Sequence, residues 1–371
     1  MTDLSSTLAL TRTPVPLPIS WYFDPEIARL EHKLIFDAGP GYIGHEHLVP
    51  NSGDYYVLDW LPEAPALIRG KDGVKLISNV CRHRQSILLN GHGNTENIVC
   101  PVHQWTYDLG GKLLGAPQFP NNPCLNLEAI SPRNWRGLLF RGQRDPQRDL
   151  AGMSLMADYD FSGHVLDRVE ITEYQFNWKI FLEIYLELYH VEAVHPGLRQ
   201  FVDPGRWRWE FGEWWSSQEL GVYKNLTHKE TPVYAHYIDE LLRYRDGKPP
   251  KYGTLWSIYY PNVCLEWYPH CLVVSTILPR GPHKCLNVVE FYYPEEVALF
   301  ERPLVEAHQG AYFESAAQDQ QICEHLNEGR GKLYACGQEQ QGPYLIPAED
   351  GMIHFHEFVR GFLEPALGQP G

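Results

Sequence analysis

The stretch NVCRHRQSILLNGHGNTENIVCPVHQWTYDLGG, residues 79–111, constrains the fold more than any other part of this chain. Two Cys and two His stand there in matched pairs, Cys81-x-His83 and Cys100-x-x-His103, with sixteen residues between the pairs. Thiolates combined with imidazoles bind zinc or iron–sulfur. Zinc fingers usually group like with like, two Cys and then two His. Here each knuckle supplies one Cys and one His. That interleaving suits a two-iron cluster with both Cys on one iron and both His on the other. Imidazoles in place of two thiolates leave less negative charge on such a cluster and raise its potential, so it can accept and pass single electrons.

Texture along the chain places this motif. The segment WYFDPEIARLEHKLIFDAG contains an early helix: Asp24-Pro25 is a start signal, and Ile27, Leu30, Leu34 and Ile35 follow helical spacing. Thr13 to Pro18 reads as an extended, proline-stiffened arm. From Tyr42 to Arg144, short runs such as YYVLDW, VKLIS and WRGLLFR alternate with Gly, Pro and Asn, the pattern of a small all-β domain. Each Cys-His pair follows an apolar run there, so both lie on loops at strand ends. Beyond it, NWKIFLEIYLELYHVEAVHP reads as a helix ending at Pro196. WSIYYPNVCLEWYP, CLVVSTILPR and CLNVVEFYYP read as strands, and residues 295–329 as a long helical region broken near Pro303 and Gly310. The expectation is an α+β chain with an antiparallel sheet, organised as residues 1–40 (N-terminal arm and helix), 41–150 (β domain) and 151–371 (second domain). Net charge is −15 without a long Lys/Arg run, which argues against a nucleic-acid partner. No apolar run of membrane-spanning length and no secretory signal is present, so a cytoplasmic location is expected. Cys124, Cys264, Cys271, Cys285, Cys323 and Cys336 lack the spacing of a disulfide framework and are expected to be reduced, buried thiols.

CRHR together with CPVHQWTYDLGGKLLGAP resembles the motif of the Rieske non-haem iron oxygenases, including the WxYD, Gly and AP that follow the second His. The resemblance implies a [2Fe–2S] cluster held by Cys81, His83, Cys100 and His103, with Trp105 and Tyr107 as candidates to pack around it. Respiratory Rieske proteins carry an additional Cys in each loop, where this chain has Ser86 and Val102. Two departures stand out. The family usually has Gly where this chain has Gln85 and Gln104, and a Gln would be strained if the backbone there needs positive φ.

More than two hundred residues remain after the β domain, and they contain Glu187-x-x-His190-x4-His195-Pro196. Two His and one carboxylate on one face of a metal form the facial triad of non-haem Fe(II) oxygenases, with positions left open for O2 and substrate. Glu187 and His190, at i and i+3, share a helix face. His190 and His195 are roughly 140° apart at α-helical pitch, so the helix must loosen or end between them; a π-type turn would do this. The third ligand should be a distant carboxylate. Asp319 matches the family's late aspartate, with Glu314 and Glu324 as competitors.

The resemblance spans nearly the whole chain and implies a helix-grip catalytic domain and a homotrimer. In it Glu187 bridges a cluster His of one subunit, His103, to His190 of the next. The family mostly has Asp at this place; Glu occurs in branches acting on quaternary ammonium compounds. Ile184 stands where the family has Asn. His354 and His356 point apart on a helix and are read as surface or core His, and His325 as a neighbour of the iron site or a structural residue. The Trp-rich stretch Arg206 to Trp215 is read as a sheet core face or an aromatic cage, and Arg82, Arg84 and Lys112 as a guide for an acidic electron donor.

The implied activity is that of a terminal oxygenase using O2 and electrons from NAD(P)H through a separate reductase, with or without a ferredoxin. No Gly-rich dinucleotide fingerprint occurs in the chain itself. The expected substrate is an aromatic compound. The alternatives are dealkylation of a quaternary ammonium compound and a non-catalytic electron-transfer protein.

Overall fold

Strands rich in β-branched and aromatic residues build one seven-stranded antiparallel sheet in the second half of the chain. They are β1 (His164–Tyr174), β2 (Val202–Phe211), β3 (Trp215–Val222), β4 (Thr254–Tyr259), β5 (Val263–Tyr268), β6 (Cys271–Pro279) and β7 (Cys285–Pro294), in the order β1-β7-β6-β5-β4-β3-β2. The computed structural model describes residues 15–227 and 230–368. It divides into two units, Pro40–Asp145 and a larger one made of Met1–Gly39 with Pro146–Gly371.

In the larger unit, alternate residues of β6 and β7 (Cys271, Val273, Val289, Phe291 and Tyr293) project on one sheet face. They meet Tyr237 and Leu241 of helix α3 (Pro232–Tyr244) and Leu304, Val305, Ala307 and Ala311 of helix α4 (Arg302–Ala335) in a continuous core. Helix α1 (Trp178–Tyr185) starts where Asn177 accepts the Lys179 N–H at 3.0 Å. The Lys179 ammonium is fully buried and paired with Glu31 at 2.6 Å, and Glu31 also accepts from Trp178 Nε1 at 2.9 Å. These contacts join α1 to the N-terminal helix Pro25–Glu31, which begins at the expected Asp24-Pro25 signal. Val15–Pro18 carry no regular structure; Thr13 and Pro14 lie outside the described residues. Arg360, in helix α5 (Asp350–Leu367), donates to the Val15 and Pro16 carbonyls at 2.7 and 2.6 Å.

The smaller unit is built of short strands. A five-stranded sheet runs in the order His92–Asn94, Asp54–Val57, Ala66–Gly70, Gly73–Ile77, Ala129–Ile130, beside two three-stranded sheets. Its core includes Val57, Ile68, Ile77, Ile98, Trp105, Tyr107 and Leu113. Among the described residues no helix is long and apolar enough to cross a membrane.

Several expectations need correction. Glu187 and His190 do not share a helix face, because α1 ends at Tyr185 and a short helix α2 (Val191–Val194) begins only after His190. The Glu187 carboxylate takes the backbone N–H groups of Tyr189 and His190, the latter at 3.2 Å, and so competes with continuation of the helix. No π turn forms there; one occurs instead at His32–Phe36. Gly310 does not break α4, since Ala307, His308, Gln309 and Ala311 are buried around it and packing outweighs the ~1 kcal/mol helix penalty of a glycine. The interruption lies at Glu301, with Pro303 tolerated in the first turn of α4. All eight cysteines are free, but Cys124 and Cys336 are exposed rather than buried.

Candidate metal centres

Two loops of matching backbone geometry carry the first constellation. In one, the Cys81 N–H donates to the Ser86 carbonyl (2.8 Å) and the Gln85 N–H returns to the Cys81 carbonyl (3.1 Å). In the other, Cys100 N–H donates to Trp105 (2.8 Å) and Gln104 N–H to Cys100 (3.0 Å). Each loop reverses through a residue with positive φ, Gln85 at 55° and Gln104 at 58°. The left-handed geometry, for which the resemblance implies Gly, is therefore adopted here by Gln. The loops bring together the residues expected from the sequence. Cys81 and Cys100 are buried, and the His83 and His103 rings lie 4.6 Å apart at 70°. Trp105 stacks on His83 at 4.8 Å, and the Tyr107 hydroxyl lies 3.5 Å from Cys81 Sγ. Burial raises the pKa of Cys100, but the backbone N–H groups of Val102 and His103 and a hydrogen bond from Cys81 outweigh it, and the net shift is downward, toward thiolate. Two sulfurs and two imidazoles in this setting fit a two-iron cluster.

The second constellation lies in the larger unit. Atoms of His190, His195 and Asp319 capable of holding a metal lie within 4.8 Å of one another. His190 is placed by Glu187, whose Oε1 accepts from its Nδ1 at 2.5 Å. His195 is placed by Gln318, whose Oε1 accepts from its Nδ1 at 2.7 Å. Each ring thus spends its proton outward, and the two Nε2 lone pairs face each other at 3.1 Å. Asp319 Oδ1 is 2.9 Å from His195 Nε2 and 3.5 Å from His190 Nε2, buried and with no hydrogen-bond partner. With both Nδ1 atoms donating outward, the two Nε2 atoms and the Asp319 carboxylate converge on one point, an arrangement that suits a cation. The same demand shows in His190: burial disfavours its charge, but Asp319 and Glu187 outweigh burial and raise its pKa to about 9. The donor set fits a divalent metal with open positions.

The competitors are occupied elsewhere. Glu314 accepts from Thr231 at 2.8 Å, Glu324 is exposed and bonded to Gln320, and His325 is exposed. His354 bonds Tyr260 (2.9 Å) and His356 bonds Tyr344 and Glu183, so both are core residues. Among the described residues, none of the aromatics between Arg206 and Trp215 lines the cavity beside the metal trio; Trp207, Trp209, Phe211 and Trp215 belong to the sheet, and Trp214 packs on Phe358 and Phe362 of α5. Arg82, Arg84 and Lys112 are exposed.

Residues 155–364 match the family model of the ring hydroxylating alpha subunit (catalytic domain), and residues 40–128 match the Rieske [2Fe–2S] domain. The chain belongs to the Rieske-type oxygenase alpha subunits. Putrescine 2-hydroxylase of Ralstonia nicotianae is 50% identical to this oxygenase over 364 residues, covering 98% of this chain and 100% of the relative. Putrescine 2-hydroxylase of Bordetella bronchiseptica is 45% identical over 375 residues, covering 97% and 87%. Among solved structures, the quaternary ammonium Rieske monooxygenase CntA superposes with a TM-score of 0.77 at 20% identity, covering 94% and 95% of the two chains, a likeness of fold. The cofactors of the oxygenase are a Rieske [2Fe–2S] cluster and a mononuclear iron.

A cavity of about 100 Å³ opens beside the trio, room for several waters. Ile184, where the resemblance implies Asn, forms an apolar wall. Tyr185, Trp256, Tyr268 and Tyr312 add aromatic walls, and Glu266 adds a carboxylate. Sequence reasoning missed Gln318 and Glu266. Both had a signal: Gln318 adjoins Asp319, and Glu266 is the one charge in the otherwise apolar strand VCLEWY.

Proposed function

We propose that this oxygenase hydroxylates an aliphatic diamine, putrescine, at C2. The reading is carried by 50% identity extending over 98% of the chain to a putrescine 2-hydroxylase. Those relatives are named for a linear aliphatic diamine, and they give no support to the aromatic substrate expected from the sequence. The aromatic cavity walls agree with an aliphatic cation, because ring faces attract ammonium groups.

In this reading Cys81, His83, Cys100 and His103 hold the cluster, and His190, His195 and Asp319 hold the iron. Bound there, the two groups would supply electron relay and O2 activation. The chain's own residues set the conditions. Glu187 and Gln318 fix the tautomers of the iron-site histidines. The apolar walls exclude bulk water. Glu187 also serves as the contact through which the partner subunit's His103 reaches His190 within a homotrimer. The overall reaction consumes the diamine, O2, NAD(P)H and one proton, and gives the hydroxydiamine, water and NAD(P)+. A separate reductase delivers the electrons.

The test is NAD(P)H-linked O2 uptake with a reductase present, followed by product mass. Putrescine should gain one oxygen. His190→Ala should abolish uptake while the visible spectrum of the cluster persists; uptake surviving that change would refute the iron-site assignment. N-dealkylation of a quaternary ammonium compound, the alternative expected from the sequence, would be revealed by the same mass measurement as loss of an alkyl group.

A further inference from the structure

We propose that Glu266 takes an ammonium group of the substrate and so sets which methylene of a linear diamine faces His190, His195 and Asp319. The proposal rests on the diamine reading above and names the residue that would enforce it.

Glu266 is 3% exposed, on strand β5, and lines the cavity that the metal trio also lines. A buried carboxylate normally has a cation or several donors to offset its lost hydration. Two other buried glutamates show the contrast: Glu31 faces Lys179, and Glu183 faces Arg330 and His356. Glu266 has only a neutral partner among the described residues, the Tyr268 hydroxyl, which donates to Oε2 at 2.6 Å. That hydroxyl is itself aimed by Trp256 Nε1, which donates to it at 2.9 Å. Among the described residues, no lysine or arginine lines the cavity. Of the other carboxylates on its wall, Glu187 is paired with His190 and Asp319 belongs to the metal trio. Glu266 therefore faces the cavity without a cation among the described residues.

The surroundings match an ammonium ion. Trp256 and Tyr268 meet edge to face with centroids 6.5 Å apart, and Tyr312 stands 6.1 Å from Tyr268. Aromatic faces near Glu266 would attract an ammonium held there. The Tyr237 hydroxyl, also on the cavity wall, is buried with no hydrogen-bond partner and offers a second acceptor. In the protein alone, burial pushes the Glu266 pKa up against the Tyr268 hydrogen bond, with Asp319 adding to the rise, to about 7. An ammonium restores the charged form. A primary ammonium can also donate N–H bonds to this carboxylate, whereas a quaternary ammonium has none to give. The geometry thus selects amines that carry N–H.

The experiment uses the iron-loaded, cluster-containing holoenzyme with putrescine. Glu266→Gln keeps the shape and removes the charge. The KM for putrescine should rise by roughly 30-fold or more, the scale of losing one partner of a buried charged pair. Product should spread over more than one methylene, while iron content and the cluster spectrum stay unchanged. In wild-type protein, calorimetry should show 1,4-butanediol and choline binding at least roughly 30-fold more weakly than putrescine. If Glu266→Gln is recovered without iron or cluster, this ligand series alone decides. A wild-type enzyme that hydroxylates putrescine, with a Gln variant whose KM and product are unchanged, would overturn the role of Glu266 alone. Equal affinity of wild type for putrescine and butanediol would also overturn it. A wild-type enzyme that ignores putrescine but turns over choline would overturn the diamine reading itself, and this inference with it.

Discussion

At the scale of single residues, two glutamines and one amide carry most of what distinguishes this oxygenase. Gln85 and Gln104 hold the left-handed backbone on which both cluster loops turn. A side chain in that region costs about 1–2 kcal/mol, of which glycine's greater freedom in the unfolded chain would take back roughly 0.5–1 kcal/mol. Gln85→Gly should therefore stabilise the holoprotein by up to about 1.5 kcal/mol, seen as a higher melting temperature; a lower one would show that the Gln85 side chain makes a compensating contact. Gln318 orients His195 without touching the metal position. Partners of this kind are worth about 10–100-fold in metal affinity. Gln318→Ala should lose mononuclear iron on dialysis against a chelator, at a concentration that leaves the wild type loaded, and keep its cluster iron.

At the scale of elements, the iron site depends on how α1 ends and how it is tied to α4 and α5. The end of α1 at Tyr185 lets Glu187 turn back and cap the Tyr189 and His190 N–H groups, which swings His190 toward His195. One turn earlier, Glu183 joins three helices: it pairs with Arg330 of α4 at 2.6 Å and His356 of α5 at 2.9 Å, and accepts from Tyr22. Burial pushes the Glu183 pKa up, but Arg330, His356 and the Tyr22 hydroxyl outweigh it and hold it at about 2. The folded value lies below that of a free glutamate, so this contribution is complete above pH ~4.3 and is lost as pH falls further. Wild-type stability should decline between that pH and about 2, and Glu183→Gln should flatten this part of the curve in acid titrations followed by circular dichroism. Arg330→Ala leaves a buried carboxylate without its main cation and should cost about 3–5 kcal/mol in chemical denaturation; a loss below 1 kcal/mol would mean that His356 suffices.

At the scale of the whole molecule, the trimer proposed above makes the two metal centres of different subunits partners. Co-expressed His103→Ala chains, lacking the cluster, and His190→Ala chains, lacking the iron, should recover part of the wild-type O2 uptake in mixed trimers, although each alone is inactive. The particle should have three times the 42.8 kDa chain mass in light scattering. Absence of complementation in verified mixed trimers would argue for transfer within one chain. What the sequence by itself determined is what covalent spacing controls. The Cys81/His83 and Cys100/His103 knuckles, proposed to hold the cluster, are each contained within a few residues of loop, so their residue types and offsets are legible without a fold. His190, His195 and Asp319 were legible as residue types in a pattern, but the helix assumed to carry the first of them was not there, because a side chain competing for backbone N–H groups leaves no mark in periodicity. The tertiary structure alone decided the pairings. His195 meets an amide 123 residues away, and Glu266 lines a cavity without a counter-cation among the described residues only because of what packs around it. Whether a buried charge has a partner is a property of packed surfaces distant in sequence, and no local pattern encodes it.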